Sequence, residues 1–140
     1  MEINGMAHEV LSVSDFARAR ALYGKLLPFL GLTPVFDADF FFYCVGGRTA
    51  VGISPCAPEH AKERFVQPRV GLHHASFRAK SREDVDALHA FLVDLGATIV
   101  HPPEEGSWAP GYYSVLFEDP DGIRLEMNYV PGKGLLEQKG

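Results

Sequence analysis

The chain carries an internal repeat. His8-x-x-Leu11-x-Val13-x-Asp15 recurs as His74-x-x-Phe77-x-Ala79-x-Ser81 at a constant offset of 66, and Gly31 is matched by Gly96 at an offset of 65. Two copies of one supersecondary unit restrict the fold to what that unit can form twice. In the first copy a β-prone stretch from Ala7 to Val13 stops at Ser14-Asp15, which have N-cap chemistry, and Phe16, Leu22, Tyr23, Leu26 and Leu30 follow at near-helical spacing up to Gly31. That predicts a strand, then a helix over about 15–30 whose last turn Pro28 breaks. Three further strands follow: Thr33 to Phe36, Phe40 to Val45, and, after a Gly46-Gly47 turn, Thr49 to Ile53. The second copy gives the same order. Leu72 to Phe77 is a strand, and a near capping box at Ser81 to Asp84 opens a helix striped by Val85, Leu88, Leu92 and Leu95 and closed by Gly96. Strands at Thr98 to Val100, Tyr112 to Glu118 and Ile123 to Val130 complete it. The offset between Gly47 and Gly122 has grown to 75, which an inserted loop from Pro102 to Gly111 explains. The fold class is α+β, as two βαβββ modules in one 140-residue domain: module one at about 6–53, a Pro-spaced linker at 54–70, module two at about 71–130, and a tail at 131–140.

Composition narrows the function classes. Hydrophobic residues make up 46% and charged residues 22%, the balance of a chain with a packed core. Thirteen Lys and Arg against 18 Asp and Glu leave no basic surface to neutralise a phosphate backbone, so nucleic acid is not an expected partner. No apolar run approaches the roughly 20 residues that span a bilayer, and residues 1–5 have neither a basic start nor an apolar core of a signal segment. The expected setting is cytoplasmic, without a membrane partner. Cys44 and Cys56 lack any CxxC spacing and read as free thiols, Cys44 as a small core residue.

Strand alternation then sorts the polar residues. His8 shares a face with Val10 and Ser12, and His74 shares one with Ser76 and Arg78, so the two histidines are repeat equivalents. Glu126, flanked by the core residues Leu125 and Met127, points the opposite way from them, together with Arg124 and Asn128. Two histidines and one carboxylate on a concave sheet face suit a divalent transition metal with open positions. The alternative is two half-buried strand histidines, with Glu126 paired to Arg124 or Arg78. His73 is expected to face away from His74, and His60, His89 and His101 fall on a loop, a helix face and a strand end. The Phe40 to Tyr43 run reads as sheet wall.

The sequences His8-Glu9-Val10-Leu11-Ser12-Val13-Ser14-Asp15, Leu22-Tyr23, Leu30-Gly31, His73-His74-Ala75-Ser76-Phe77-Arg78 and above all Asp119-Pro120-Asp121-Gly122-Ile123-Arg124-Leu125-Glu126 resemble the vicinal oxygen chelate superfamily of glyoxalases, bleomycin-resistance proteins and extradiol dioxygenases. The resemblance covers about residues 6–130. It implies paired modules forming a cup-shaped mixed sheet with the helices outside, around a metal that chelates neighbouring oxygens of a substrate. It assigns His8, His74 and Glu126 to three ligand positions. The fourth position of glyoxalases falls in Thr49-Ala50-Val51-Gly52-Ile53, where Val51 aligns with Glu126 if Gly47 is set on Gly122, and neither Val51 nor Gly52 binds metal. Two branches use two histidines and one glutamate, the iron-dependent extradiol dioxygenases and the manganese-dependent fosfomycin-modifying transferases. Both place a tyrosine ten residues before the glutamate, where this chain has Leu116; Tyr112 shares its parity but lies four residues off. An Arg of the fosfomycin enzymes' tail corresponds to Leu135.

The expected function is therefore that of a metalloprotein with Fe, Mn, Zn, Ni or Co as cofactor, acting on a small molecule as a lyase, isomerase or dioxygenase, with Glu126 also able to serve as a base. Ser12, Ser76, Ser114, Asn128, Tyr112 and Arg78 are the expected substrate contacts, with Trp108 on the inserted loop as a lid residue. The competing expectation is a metal-free protein that sequesters a drug or metabolite. A homodimer is expected because open modules leave apolar edges near Phe40 to Tyr43 and Tyr112 to Phe117.

Overall fold

A computed structural model describes residues 1–139 and divides the chain into two compact units, residues 1–64 and the residues from Phe65 on. Unit one contains β1 (His8–Val13), α1 (Phe16–Phe29), β2 (Thr33–Ala38), β3 (Phe41–Gly46) and β4 (Thr49–Pro55). Unit two contains β5 (Ala75–Arg78), α2 (Arg82–Asp94), β6 (Thr98–Glu105), β7 (Tyr113–Glu118) and β8 (Arg124–Tyr129). Each unit folds into a four-stranded mixed sheet, in the order β1-β4-β3-β2 and β5-β8-β7-β6, so the repeat in sequence is a repeat in topology. The first strand of each sheet runs parallel to the last, and the other neighbours are antiparallel. The α+β class and the βαβββ order are as the sequence predicts.

Each helix covers one sheet face. Asp15 Oδ1 accepts from Arg18 N and Ser81 Oγ from Asp84 N, so both helices start where hydroxyl or carboxylate chemistry satisfies their free amides. Leu11, Val13, Tyr23, Leu26, Leu27, Phe42, Cys44 and Ile53 are buried in unit one, and Val85, Leu88, Leu92, Val115, Phe117 and Leu125 in unit two. The residues between them in each strand make the opposite face.

Three local features depart from the sequence expectation. Pro28 does not break α1: it sits within the last turn, and the helix closes past it through Leu30 N to Leu26 O and Leu32 N to Leu27 O. The missing amide falls where the helix is ending, so the loss is confined to one bond. Four of the ten residues of the expected loop at 102–111 are strand, since β6 runs through Pro102 and Pro103 to Glu105; as the edge strand it tolerates prolines, at a register shift between His101 and Glu104. Finally, β5 starts at Ala75 rather than Leu72, because its partner β8 starts only at Arg124 and gives residues upstream nothing to pair with.

Candidate functional site

The turn before β8 determines which way Glu126 points. Asp119 is buried, and its Oδ1 accepts from the backbone amides of Asp121 and Ile123, while Gly122, at φ 81°, donates its amide to Asp119 O. This tie starts β8 in a register that sets Glu118 opposite Arg124, Leu116 opposite Glu126 and Ser114 opposite Asn128. On the other side of β8, Ser76 lies opposite Glu126 and Arg78 opposite Asn128. Leu125 and Met127 go to the helix side, so Ser76, Arg78, Ser114, Glu126 and Asn128 share the open face.

Donors converge on one oxygen of Glu126. Ser76 Oγ donates to Oε1 at 2.9 Å and Asn128 Nδ2 at 3.0 Å, and the Tyr112 hydroxyl donates to the same atom. Asn128 Nδ2 also donates to Ser76 Oγ at 2.9 Å, which links the donors to one another. Tyr112 lies just ahead of β7, and its ring runs along the sheet far enough to reach Glu126, with Ser114 and Asn128 as further hydrogen-bonding neighbours. Burial and then the facing carboxylate push the Tyr112 phenol up to about 12, so at neutral pH it remains a donor. Tyr112, which shares the parity of Leu116, thus reaches Glu126 from four residues earlier in the chain. Neither arginine that offered Glu126 a simple ion pair takes it: Arg124 Nε bonds Glu118 Oε1 at 3.0 Å, and Arg78 forms no ion pair among the described residues.

His74 is exposed and lies just outside β5, so strand alternation does not apply to it. Instead of facing opposite ways, His73 and His74 meet with their Nδ1 atoms 2.8 Å apart. Gln67 Nε2, which can only donate, is 3.3 Å from His73 Nδ1. His74 Nδ1 is thus engaged within the loop, and its Nε2 has no hydrogen bond among the described residues. Glu126 shows the same division: its three hydrogen bonds fall on Oε1, and Oε2 has none among the described residues. One atom oriented by hydrogen bonds and one left open is the state in which imidazole and carboxylate ligands bind a divalent transition ion. These two residues fit such an ion in their donor chemistry. Among the described residues, no group of three or more His, Cys, Asp or Glu is placed to hold one.

The open face of unit one is aromatic. His8 lies edge-on to Tyr43, with centroids 6.4 Å apart; Tyr43 stacks on Phe41 at 5.5 Å, and Phe41 tilts against Phe36 at 5.7 Å. Gly52 lies beneath these rings. A Cβ on Gly52 would stand 2.8 Å from Tyr43 Cδ2 and 3.2 Å from Phe42 O. Strand pairing also corrects the alignment of the missing fourth ligand. Val10 pairs with Gly52 in unit one as Ser76 pairs with Glu126 in unit two, and Val10 and Ser76 differ by the repeat offset, so Gly52 rather than Val51 is the counterpart of Glu126. Val51 is buried on the helix side. The position lacks a carboxylate, and its space is filled by Tyr43.

Of the expected contacts, Ser12 lies on the open face of unit one, and Ser76, Arg78, Tyr112, Ser114 and Asn128 lie on that of unit two. Trp108 does not join them. It is 77% exposed at the tip between β6 and β7, where its ring and that of Tyr112 both approach Gly106. The His73–Gln67 link was missed at the level of sequence, because a pairing made in a loop has no periodicity to reveal it.

The family model for the glyoxalase/bleomycin resistance protein/dioxygenase superfamily matches residues 5–127. The uncharacterized protein YqjT of Bacillus subtilis (strain 168) is 30% identical over 139 residues, covering 87% of this chain and 96% of that one. The crystal structure of a protein described as a candidate glyoxalase from Bacillus halodurans superposes with a TM-score of 0.79 at 27% identity, over 91% of this chain and 96% of that one. Lactoylglutathione lyase from Agrobacterium tumefaciens shares the fold, with a TM-score of 0.66 at 20% identity over 92% and 96% of the two chains.

Proposed function

This chain belongs to the glyoxalase/bleomycin resistance protein/dioxygenase superfamily, and from that premise we propose that it is a metal-dependent enzyme acting on a small molecule with neighbouring oxygens. His74 through Nε2 and Glu126 through Oε2 are the proposed ligands that unit two offers a divalent ion drawn from Fe, Mn, Zn, Ni or Co. When bound, such an ion supplies Lewis acidity toward two substrate oxygens. The observation that carries the reading is the arrangement of Glu126, whose Oε1 is saturated by Tyr112, Ser76 and Asn128 while Oε2 is left open. These donors hold the carboxylate in one orientation, with Oε2 turned toward the open face. A four-ligand lactoylglutathione lyase site is not proposed, because the fourth position is Gly52 under Tyr43.

Metal analysis of protein purified without a histidine tag tests this. About one equivalent of a transition metal is expected, falling sharply in His74→Ala and Glu126→Gln; unchanged stoichiometry in those variants rejects the ligand set. A second reading, a metal-free binder of a drug or metabolite, draws support from the absence of a three-residue donor group among the described residues. Metal-free protein that takes up no added ion would favour it.

A further inference from the structure

The open face of unit two carries a cation that the proposed metal chemistry does not use. Arg78 lies opposite Asn128 and shares the open face with Ser76, so it stands two residues along the sheet from Glu126, roughly 7 Å at backbone level. Three other arginines of the fold are tied to carboxylates. Arg20 is held by Asp37, Arg82 by Glu105 and Arg124 by Glu118, and each of those pairs is internal to the fold. Arg78 has no ion pair and no hydrogen bond among the described residues. The carboxylate nearest to it on the face, Glu126, is already saturated on Oε1 by neutral donors, so the guanidinium is not spent on neutralising it. The face therefore presents a fixed acceptor oxygen at Glu126, a hydroxyl and an amide at Ser76 and Asn128, and an uncommitted planar cation at the far end.

We propose that Arg78 anchors an anionic group of the ligand, and that the ligand is a short molecule bearing an oxyanion at one end and a hydroxyl that donates toward Glu126. A guanidinium binds carboxylate and phosphonate oxygens in the same forked geometry, and a charge-assisted pair is the stronger kind of hydrogen bond. Ser76 and Asn128, between the two ends, meet the middle of such a molecule. The inference rests on the open face of unit two as the ligand site, not on the metal, and it is tested with the metal removed.

The experiment is a titration of the isotope-labelled full chain, in EDTA, followed by amide and side-chain NMR shifts. The probes are glycolate, hydroxymethylphosphonate and the uncharged glycolamide. Either anion is expected to shift Ser76, Arg78 and the Asn128 side chain, and to bind about tenfold or more tightly than glycolamide, the span of one charged hydrogen bond. Arg78→Gln should remove that preference, Arg78→Lys should keep part of it, and added salt should weaken anion binding in the parent protein only. A response to the phosphonate alone, or to the carboxylate alone, identifies the head group. Glycolamide binding as well as glycolate overturns the proposal, as does unchanged anion binding in Arg78→Gln. The absence of shifts from either anion at ~50 mM, far above the millimolar range of weak specific binding, overturns it too. If Arg78→Gln loses its dispersed spectrum, Arg78→Lys and the glycolamide comparison decide. Anion binding with no metal uptake would sustain this inference while rejecting the metalloenzyme reading.

Discussion

Gly52 shows how much one missing side chain can decide. Its backbone runs beneath the Tyr43 and Phe41 rings, and the space a Cβ would need is taken by Tyr43 and by a backbone carbonyl that has no freedom to retreat. Gly52→Ala should therefore destabilise the protein by about 1–3 kcal/mol, the usual range for overpacking a filled site, even though alanine is the better residue for an ordinary strand. Urea denaturation checks this, and a Tyr43→Ala background should remove most of the cost. An unchanged midpoint would mean that Tyr43 turns aside freely, and that the fourth ligand position is open.

At the scale of elements, the Asp119 turn does for β8 what the helix caps do for α1 and α2. A buried carboxylate accepting two amides is costly to delete, so Asp119→Ala should lose about 2–3 kcal/mol, whereas Asp119→Asn keeps an acceptor oxygen and should lose less. Thermal melts of the two variants should separate them. On the other module, Arg20 holds α1 to the sheet with its guanidinium 3.9 Å from the Phe42 ring centroid and paired through two bonds to Asp37. The hydrogen bond from Arg20 holds the Asp37 carboxyl below its ordinary value. A carboxyl lowered on folding stabilises the fold above its unfolded pKa of about 4 and loses that contribution as pH falls further. The melting temperature of Asp37→Asn should therefore lie below that of the parent at pH 6, with the gap narrowing as pH falls below about 4. Signals of this local kind were legible in the sequence: Asp15, Ser81 and Asp119-Pro120-Asp121-Gly122 mark element ends with side-chain chemistry. Features set by pairing between distant residues were not. The parity of Glu126 was correctly read from Leu125 and Met127, but its repeat partner was misplaced by one residue, because a turn glycine is a poorer ruler than a strand register. Tyr112 was expected on this face, but its bond to Glu126 and the His73–His74 contact escaped for a related reason, since a long ring reaching along a sheet and two side chains meeting in a loop obey no period.

Taken as a whole molecule, the chain repeats its topology but not its surfaces. One open face is aromatic around His8, Phe41 and Tyr43, and the other is polar around Glu126, Ser76, Asn128 and Arg78. The apolar edges expected near Phe40 to Tyr43 and Tyr112 to Phe117 are not edges, because β3 and β7 are interior strands; the exposed edge is β2, with Val35 and Phe36 uncovered. An apolar edge of that kind invites association, and a homodimer is the expected state. Light scattering at micromolar concentration should give about twice 15.4 kDa, and a monomer mass would refute it. The Tyr43–Gly52 contact also couples two strands. Installing a carboxylate at position 52 requires that the aromatic ring leave first, and removing the ring alone opens a void in the stacked wall. Each step is costly to the fold without the other, so a carboxylate at position 52 requires paired changes on two neighbouring strands.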